Sequence, residues 1–175
     1  MLQPDKTSDN ELRFTFASNS MAARAMLHTA ISGLRYLDLS DEDSGTIELV
    51  LAEAVNNIVE HAYPTNPNGM IRLQITPMEN GLLCALSDNG CPMPVGVMTK
   101  EHRASLNCDV ENLPEGGFGL FLINGLTHGL SYTRKGDMNQ LSFLIPVTLP
   151  QLNKQFGETI EMPQRCRKRS SPRTD

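Results

Sequence analysis

The sequence predicts an α/β two-layer sandwich, with helices grouped over one face of a mostly antiparallel sheet. The first observation behind this is the order of elements: a strand, two helices, two strands, a long irregular stretch, a helix and two final strands. The second is that the later strands come as close pairs, turning around Glu79–Gly81 and around Lys135–Asp137, so that each pair runs antiparallel.

Leu12, Phe14 and Phe16 alternate within Glu11–Ala17, the two-residue period of a strand with one buried face. Ser18, Asn19 and Ser20 follow as N-cap candidates for a helix whose apolar face runs Ala23, Leu27, Ala30, Leu34 and Leu37, with Gly33 its weak point. Ser40 opens a second helix, and Asp41, Glu42 and Asp43 place negative charge at its positive end. Ile47, Val50, Leu51, Ala54, Val55, Ile58, Val59 and Ala62 keep the helical rhythm for about four turns. Pro64, Pro67, Asn68 and Gly69 stop it.

Strands are expected at Met70–Thr76 and Leu82–Ser87. Asn89–Glu115, punctuated by Pro92, Pro94, Gly96 and Pro114, is long for a connection in a compact domain and reads as a functional lid. A helix over Phe118–Thr127 and strands at Leu130–Arg134 and Gln140–Val147 complete the pattern. The expected organisation is a flexible segment 1–10, one domain over 11–150 with its lid at about 89–115, and a tail 151–175 disordered at its basic end.

The chain has 175 residues, enough for one domain with a core and too few for two ordinary ones. Hydrophobic residues make up 39% and charged residues 20%, a globular composition. No apolar run approaches the roughly 20 residues that span a bilayer, and Met1–Asn10 is polar, so a cytoplasmic location without a membrane partner is expected. Cys84, Cys91, Cys108 and Cys166 form no C-x-x-C pair and read as reduced thiols, not as a zinc site. The methionines read as packing residues. Net charge is −5; Arg165, Arg167, Lys168, Arg169 and Arg173 against Asp175 give the tail +4, which leaves −9 on residues 1–164. An acidic body excludes a broad nucleic-acid surface.

Three stations carry the chemistry. Glu53, Asn57 and His61 lie four residues apart and form one polar stripe on the second helix, beside its apolar face. An amide oxygen there can bind Mg²⁺, a hard cation, while a carboxylate one turn away orients or deprotonates an attacking hydroxyl. By itself such a pair is ordinary on the solvated edge of a helix. Asp88-Asn89-Gly90 follows an apolar strand; its carboxylate can accept a hydrogen bond from the exocyclic amine of adenine, and Gly90 lets the backbone come close to a ring. By itself this is also a common turn. Glu115-Gly116-Gly117-Phe118-Gly119-Leu120-Phe121-Leu122-Ile123 places glycines at the mouth of a helix, where free N–H groups and the dipole favour an anion. A Gly-rich turn before a buried helix explains that segment equally well when it stands alone.

Taken together and in this order, the stations resemble the three nucleotide-binding boxes of the GHKL (Bergerat-fold) ATPases: Glu53–Tyr63 the N box, Asp88-Asn89-Gly90 the G1 box and Gly116–Ile123 the G2 box. The wording E-A-V-N-N-I-V-E-H-A-Y-P and E-G-G-F-G-L-F-L-I is most similar to the anti-sigma factor serine-protein kinases within that superfamily. The resemblance covers about Glu11–Val147. It implies a Bergerat ATP-binding fold with ATP and Mg²⁺ as ligands. It assigns Glu53 as catalytic base, Asn57 as Mg²⁺ ligand, Asp88 as adenine anchor, and Gly90, Gly116, Gly117, Phe118, Gly119 and Leu120 to the nucleotide-binding loops. It further implies a homodimer that sequesters a sigma factor and phosphorylates a Ser or Thr of a STAS-type antagonist. The chain departs from the family pattern at Met93, Pro94 and His128, where an aromatic residue and acidic residues are usual; His128 is expected near the end of the third helix, where its charge suits the dipole.

Two other readings share the residues. One is a nucleotide-binding module that sequesters a partner without phosphorylating it. The other is the catalytic half of a split histidine kinase, for which His28 and His102 lack the surroundings of a phosphoacceptor.

Overall fold

Side-chain alternation and helix capping produce ten segments in the computed structural model, which describes residues 11–66, 68–94 and 118–150. Strand β1 (Leu12–Ala17) is followed by helix α1 (Ser20–Gly33), a 3₁₀ turn at Arg35–Leu37, helix α2 (Asp41–Asn57) and a π-helical turn at Ile58–Ala62. Strands β2 (Met70–Met78) and β3 (Gly81–Asp88), helix α3 (Phe118–Leu126) and strands β4 (His128–Lys135) and β5 (Met138–Ile145) complete the order. Residues 1–10, 67, 95–117 and 151–175 lie outside the described residues, as do the expectations placed on them, the lid included.

The strands form one sheet in the order β1-β2-β3-β5-β4, with every pairing antiparallel. Leu12, Phe14, Phe16, Ile71, Leu73, Ile75, Leu82, Cys84, Leu86, Leu141, Phe143 and Ile145 line one face. They join Ala23, Met26 and Ala30 of α1, Ile47, Val50, Leu51, Ala54 and Val55 of α2 and Ile123 of α3 in a single buried core. On the opposite face Arg13, Thr15, Arg72, Gln74, Leu83 and Gln140 are exposed. This is the α/β two-layer sandwich that the pattern of elements predicts.

Local chemistry sets the helix starts. The Asn19 side chain accepts from Ala22 N at 2.9 Å and caps α1, and Ser40 Oγ accepts from Asp43 N at 3.0 Å and caps α2. Of the other offered caps, Ser20 is the first residue of α1 and Ser18 donates its hydroxyl to Asn66 O. Leu34 and Leu37 are each 1% exposed, as their apolar pattern requires, but α1 stops at Gly33 and Leu37 is delivered by the 3₁₀ turn. Gly33 itself lets α1 lie against β1: a β-carbon there would sit 3.1 Å from Leu12 Cδ1.

Other departures from the sequence pattern have local causes. Gly81 belongs to β3, at φ 143°, where a β-carbon would meet Ile145 O at 2.1 Å. His128, expected near the end of the third helix, lies two residues beyond Leu126, where it already begins β4 and is exposed. Among the methionines Met26 is fully buried, whereas Met21, Met70, Met78 and Met138 are exposed, so packing describes only part of the set. Among the described residues, no helix is long and apolar enough to cross a membrane.

The largest departure is in the second helix, which the apolar rhythm extends unbroken to Ala62. The α-helical ladder ends at Asn57 and a widened turn carries the chain through Ile58–Ala62. Ile58 and Ala62 stay buried, but His61 leaves the phase of Glu53 and Asn57 and is exposed. The widened turn directs the Ala62 carbonyl out of the helix, where it accepts from Cys91 N at 2.8 Å.

Candidate functional site

Helix α2 and its widened turn form the wall on which the three stations meet. Glu53 and Asn57 occupy successive turns of α2 at the border of the core, each half-buried. Asn57 Nδ2 donates to the Glu53 carbonyl at 2.7 Å. An amide nitrogen can only donate, so this bond orients the group and leaves Oδ1 as an acceptor for a ligand.

Gly119 of α3 lies directly against both side chains. A β-carbon there would fall 2.7 Å from Glu53 Oε2 and 2.7 Å from Asn57 Nδ2. The first station and the start of α3 are therefore in contact, an approach that only glycine permits. Leu120 is half-buried and packs against the core. Gly116, Gly117 and the side chain of Phe118 lie outside the described residues.

The second station reaches the same wall further along. Gly90 presses on the end of the widened turn, where a β-carbon would meet Ala62 O at 2.4 Å and Ala62 Cβ at 2.7 Å. With the Cys91–Ala62 bond, this clamps the loop after β3 to the helix layer. Asp88 closes β3 and is 4% exposed. Its Oδ1 accepts from Gly90 N at 2.8 Å and from Asn139 Nδ2 at 2.8 Å. The two donors on Oδ1 satisfy the buried side chain and fix it in one orientation.

Tyr63 secures the neighbouring turn. Its hydroxyl accepts from Asn89 N at 2.9 Å and donates to Met70 O at 3.2 Å, which requires the neutral phenol. Burial pushes its pKa upward, and the nearby Asp88 charge adds to the rise while the hydrogen bond from Asn89 opposes it. Tyr63, Asn89, Gly90, Cys91 and Arg134 line an open cavity of about 360 Å³ at this end of the sheet.

Asn139, Tyr132 and Arg134 were not singled out by the sequence patterns. Asn139 is 3% exposed and lies opposite Asp88 in the β3–β5 ladder. Its Oδ1 accepts from Tyr132 Oη at 2.7 Å and Arg134 Nη1 at 2.5 Å. Tyr132 Oη in turn accepts from Met93 N at 2.9 Å, and Arg134 Nη1 donates to Gly90 O at 3.1 Å. The available signal is a polar residue at an inward position of β5, in phase with Leu141, Phe143 and Ile145.

A five-stranded antiparallel sheet with its helices packed on one face is the architecture of the GHKL class of ATPase domains. The chain belongs to the histidine kinase-like ATPase domain family, whose profile matches residues 16–145. It is 35% identical over 110 residues to the serine-protein kinase RsbW of Bacillus mycoides (strain KBAB4) and to that of Bacillus cereus (strain AH820). Each match covers 62% of this chain and 65% of the relative, just under two thirds of its length. The fold is similar to the crystal structure of the RsbU and RsbW domains of a Mycobacterium tuberculosis protein, with a TM-score of 0.54 and 15% identity. That match covers 81% of this chain and 34% of the other.

Proposed function

We propose that this chain is an ATP-dependent regulatory kinase that transfers the γ-phosphoryl group to a serine or threonine of an antagonist protein and alternately holds a sigma factor. The observation that carries the reading is the contact of Gly119 with both Glu53 and Asn57. It sets a helix start, which favours phosphate oxygens, beside the Glu53 carboxylate and the side-chain amide of Asn57. Family membership and similarity to serine-protein kinases support the same chemistry.

In this reading Asp88 holds the adenine, through its ionised carboxylate and the 6-amino group. Gly90, Gly116, Gly117, Phe118, Gly119 and Leu120 supply backbone close to the nucleotide. Glu53 orients the acceptor hydroxyl and takes its proton as the new P–O bond forms and the bond from the γ-phosphorus to the departing ADP breaks. Asn57 Oδ1 is the protein ligand for Mg²⁺, whose charge would offset that of the triphosphate. The fit rests on the orientation of the Asn57 amide, which leaves its oxygen free. Among the described residues no cluster of three or more His, Cys, Asp or Glu competes as a metal site. Phosphate oxygens and water supply the remaining ligands, as is usual for Mg²⁺.

Incubation with Mg-ATP and a STAS-domain antagonist, followed by intact-mass measurement of the antagonist, tests the proposal. A gain of one phosphate on Ser or Thr is expected. Complex formation with unchanged mass would replace the kinase with a sequestering module, and an acid-labile phosphate would point to histidine chemistry.

A further inference from the structure

The buried amide of Asn139 has its orientation dictated by chemistry. The guanidinium of Arg134 is donor-only, and the Tyr132 hydroxyl, which already accepts from Met93 N, directs its proton to Asn139. Both therefore require Oδ1, and Nδ2 must face the other way. On that side it meets three acceptors: Asp88 Oδ1 at 2.8 Å, Cys91 O at 3.1 Å and Gly90 O at 3.3 Å. Together with Gly90 N, it places two donors on Asp88 Oδ1. Among the described residues both hydrogen bonds of this carboxylate fall on that oxygen, which leaves Oδ2 for a ligand.

We propose that Asn139 is a positioning residue that makes the site selective for 6-amino purines, by holding Asp88 so that an acceptor alone faces the base. This rests on the reading of Asp88 as the group that meets the purine. An acceptor matches the 6-amino group of adenine and repels the 6-oxo group of hypoxanthine or guanine. Without Asn139 the carboxylate loses one of the two donors on Oδ1 and can rotate, so its free acceptor no longer faces the base in a fixed direction. Arg134 and Tyr132 act behind Asn139, and through Gly90 O and Met93 N they tie the segment after β3 to the same amide.

Calorimetric titration of the full chain with Mg-ATP and with Mg-inosine triphosphate, which carries an oxo group at the 6-position, tests the assignment. The unmodified chain should bind ATP at least about tenfold more tightly than inosine triphosphate, as expected for one hydrogen bond to a charged group. In Asn139→Ala that ratio should fall below about threefold. Asn139→Leu, which keeps the branching and heavy-atom count of the side chain, should give the same narrowing if the alanine variant does not fold. In Asp88→Asn, Asn139 still demands an acceptor at Oδ1, so an NH₂ group turns toward the base and the preference should reverse. A ratio unchanged in the Asn139 variants, even with both affinities lowered, assigns Asn139 a merely structural role and overturns the proposal while the ATP reading stands. An unmodified chain that binds neither nucleotide overturns both.

Discussion

A β-carbon on Gly119 would lie 2.7 Å from the carboxylate oxygen Oε2 of Glu53, so the start of α3 and the middle of α2 touch where the proposed chemistry occurs. The atoms in the way are the free ends of Glu53 and Asn57, which can move. Gly119→Ala should therefore leave the fold intact, and alanine in a helix favours it by up to about 1 kcal/mol. Phosphoryl transfer should fall by about a hundredfold or more, because a displacement near 1 Å misplaces the reacting groups. Equal melting temperatures with a collapsed rate are the expected pair of results. An unimpaired rate contradicts the contact.

Glu53→Gln keeps the shape of the side chain and removes its basicity. Transfer to the antagonist should drop by about 10²- to 10⁴-fold, the usual worth of a general base, with the ATP dissociation constant nearly unchanged. Single-turnover rates beside equilibrium binding measure the two effects separately. Loss of binding equal to the loss of rate would assign Glu53 to ATP itself.

Gly90→Ala meets a different obstacle. Its new methyl group would face the Ala62 carbonyl at 2.4 Å, and a backbone atom cannot step aside as a side-chain tip does. The substitution should destabilise the chain by about 1–3 kcal/mol and break the Cys91–Ala62 hydrogen bond, as overpacking generally does. Urea denaturation gives the stability change, and amide exchange at Cys91 reports the bond.

Cys84 gives the pH dependence. Burial pushes its thiol from 9.0 up to about 12, so the folded chain keeps a proton that the unfolded chain releases. This contribution is fully present below about pH 9 and is lost as pH rises toward 12, by up to about 1.4 kcal/mol per pH unit. Cys84→Ala should flatten that part of the stability curve. At pH 8 a thiol reagent should modify exposed Cys91 and leave Cys84 untouched until the chain unfolds, as peptide mapping can show.

Most of the fold is legible because its determinants are local. The caps at Asn19 and Ser40, the alternation in β1 and the apolar stripe of α2 each act within a few residues. Glu53, Asn57, Asp88 and Gly119 are legible for another reason: their types and spacing form the motifs of a known superfamily. The widened turn at Ile58–Ala62 is not, because the Cys91 N–H that donates to its last carbonyl lies 29 residues further along the chain. Asn139 escapes for a similar reason. Only the register of β5 against β3 brings it to Asp88, and nothing in the pattern of β5 names that partner.

The π turn makes residue count, rather than residue type, critical at one place in the chain. Deleting a single residue between Ile58 and Ala62 would let the coil relax to a regular pitch and rotate everything after it by about 100°. The Ala62 carbonyl would swing away from Cys91, and the floor beneath Asp88 would lose its moorings. Among the described residues the hairpin bend at Glu79–Asn80 anchors no such loop, so length changes should be absorbed there and not here.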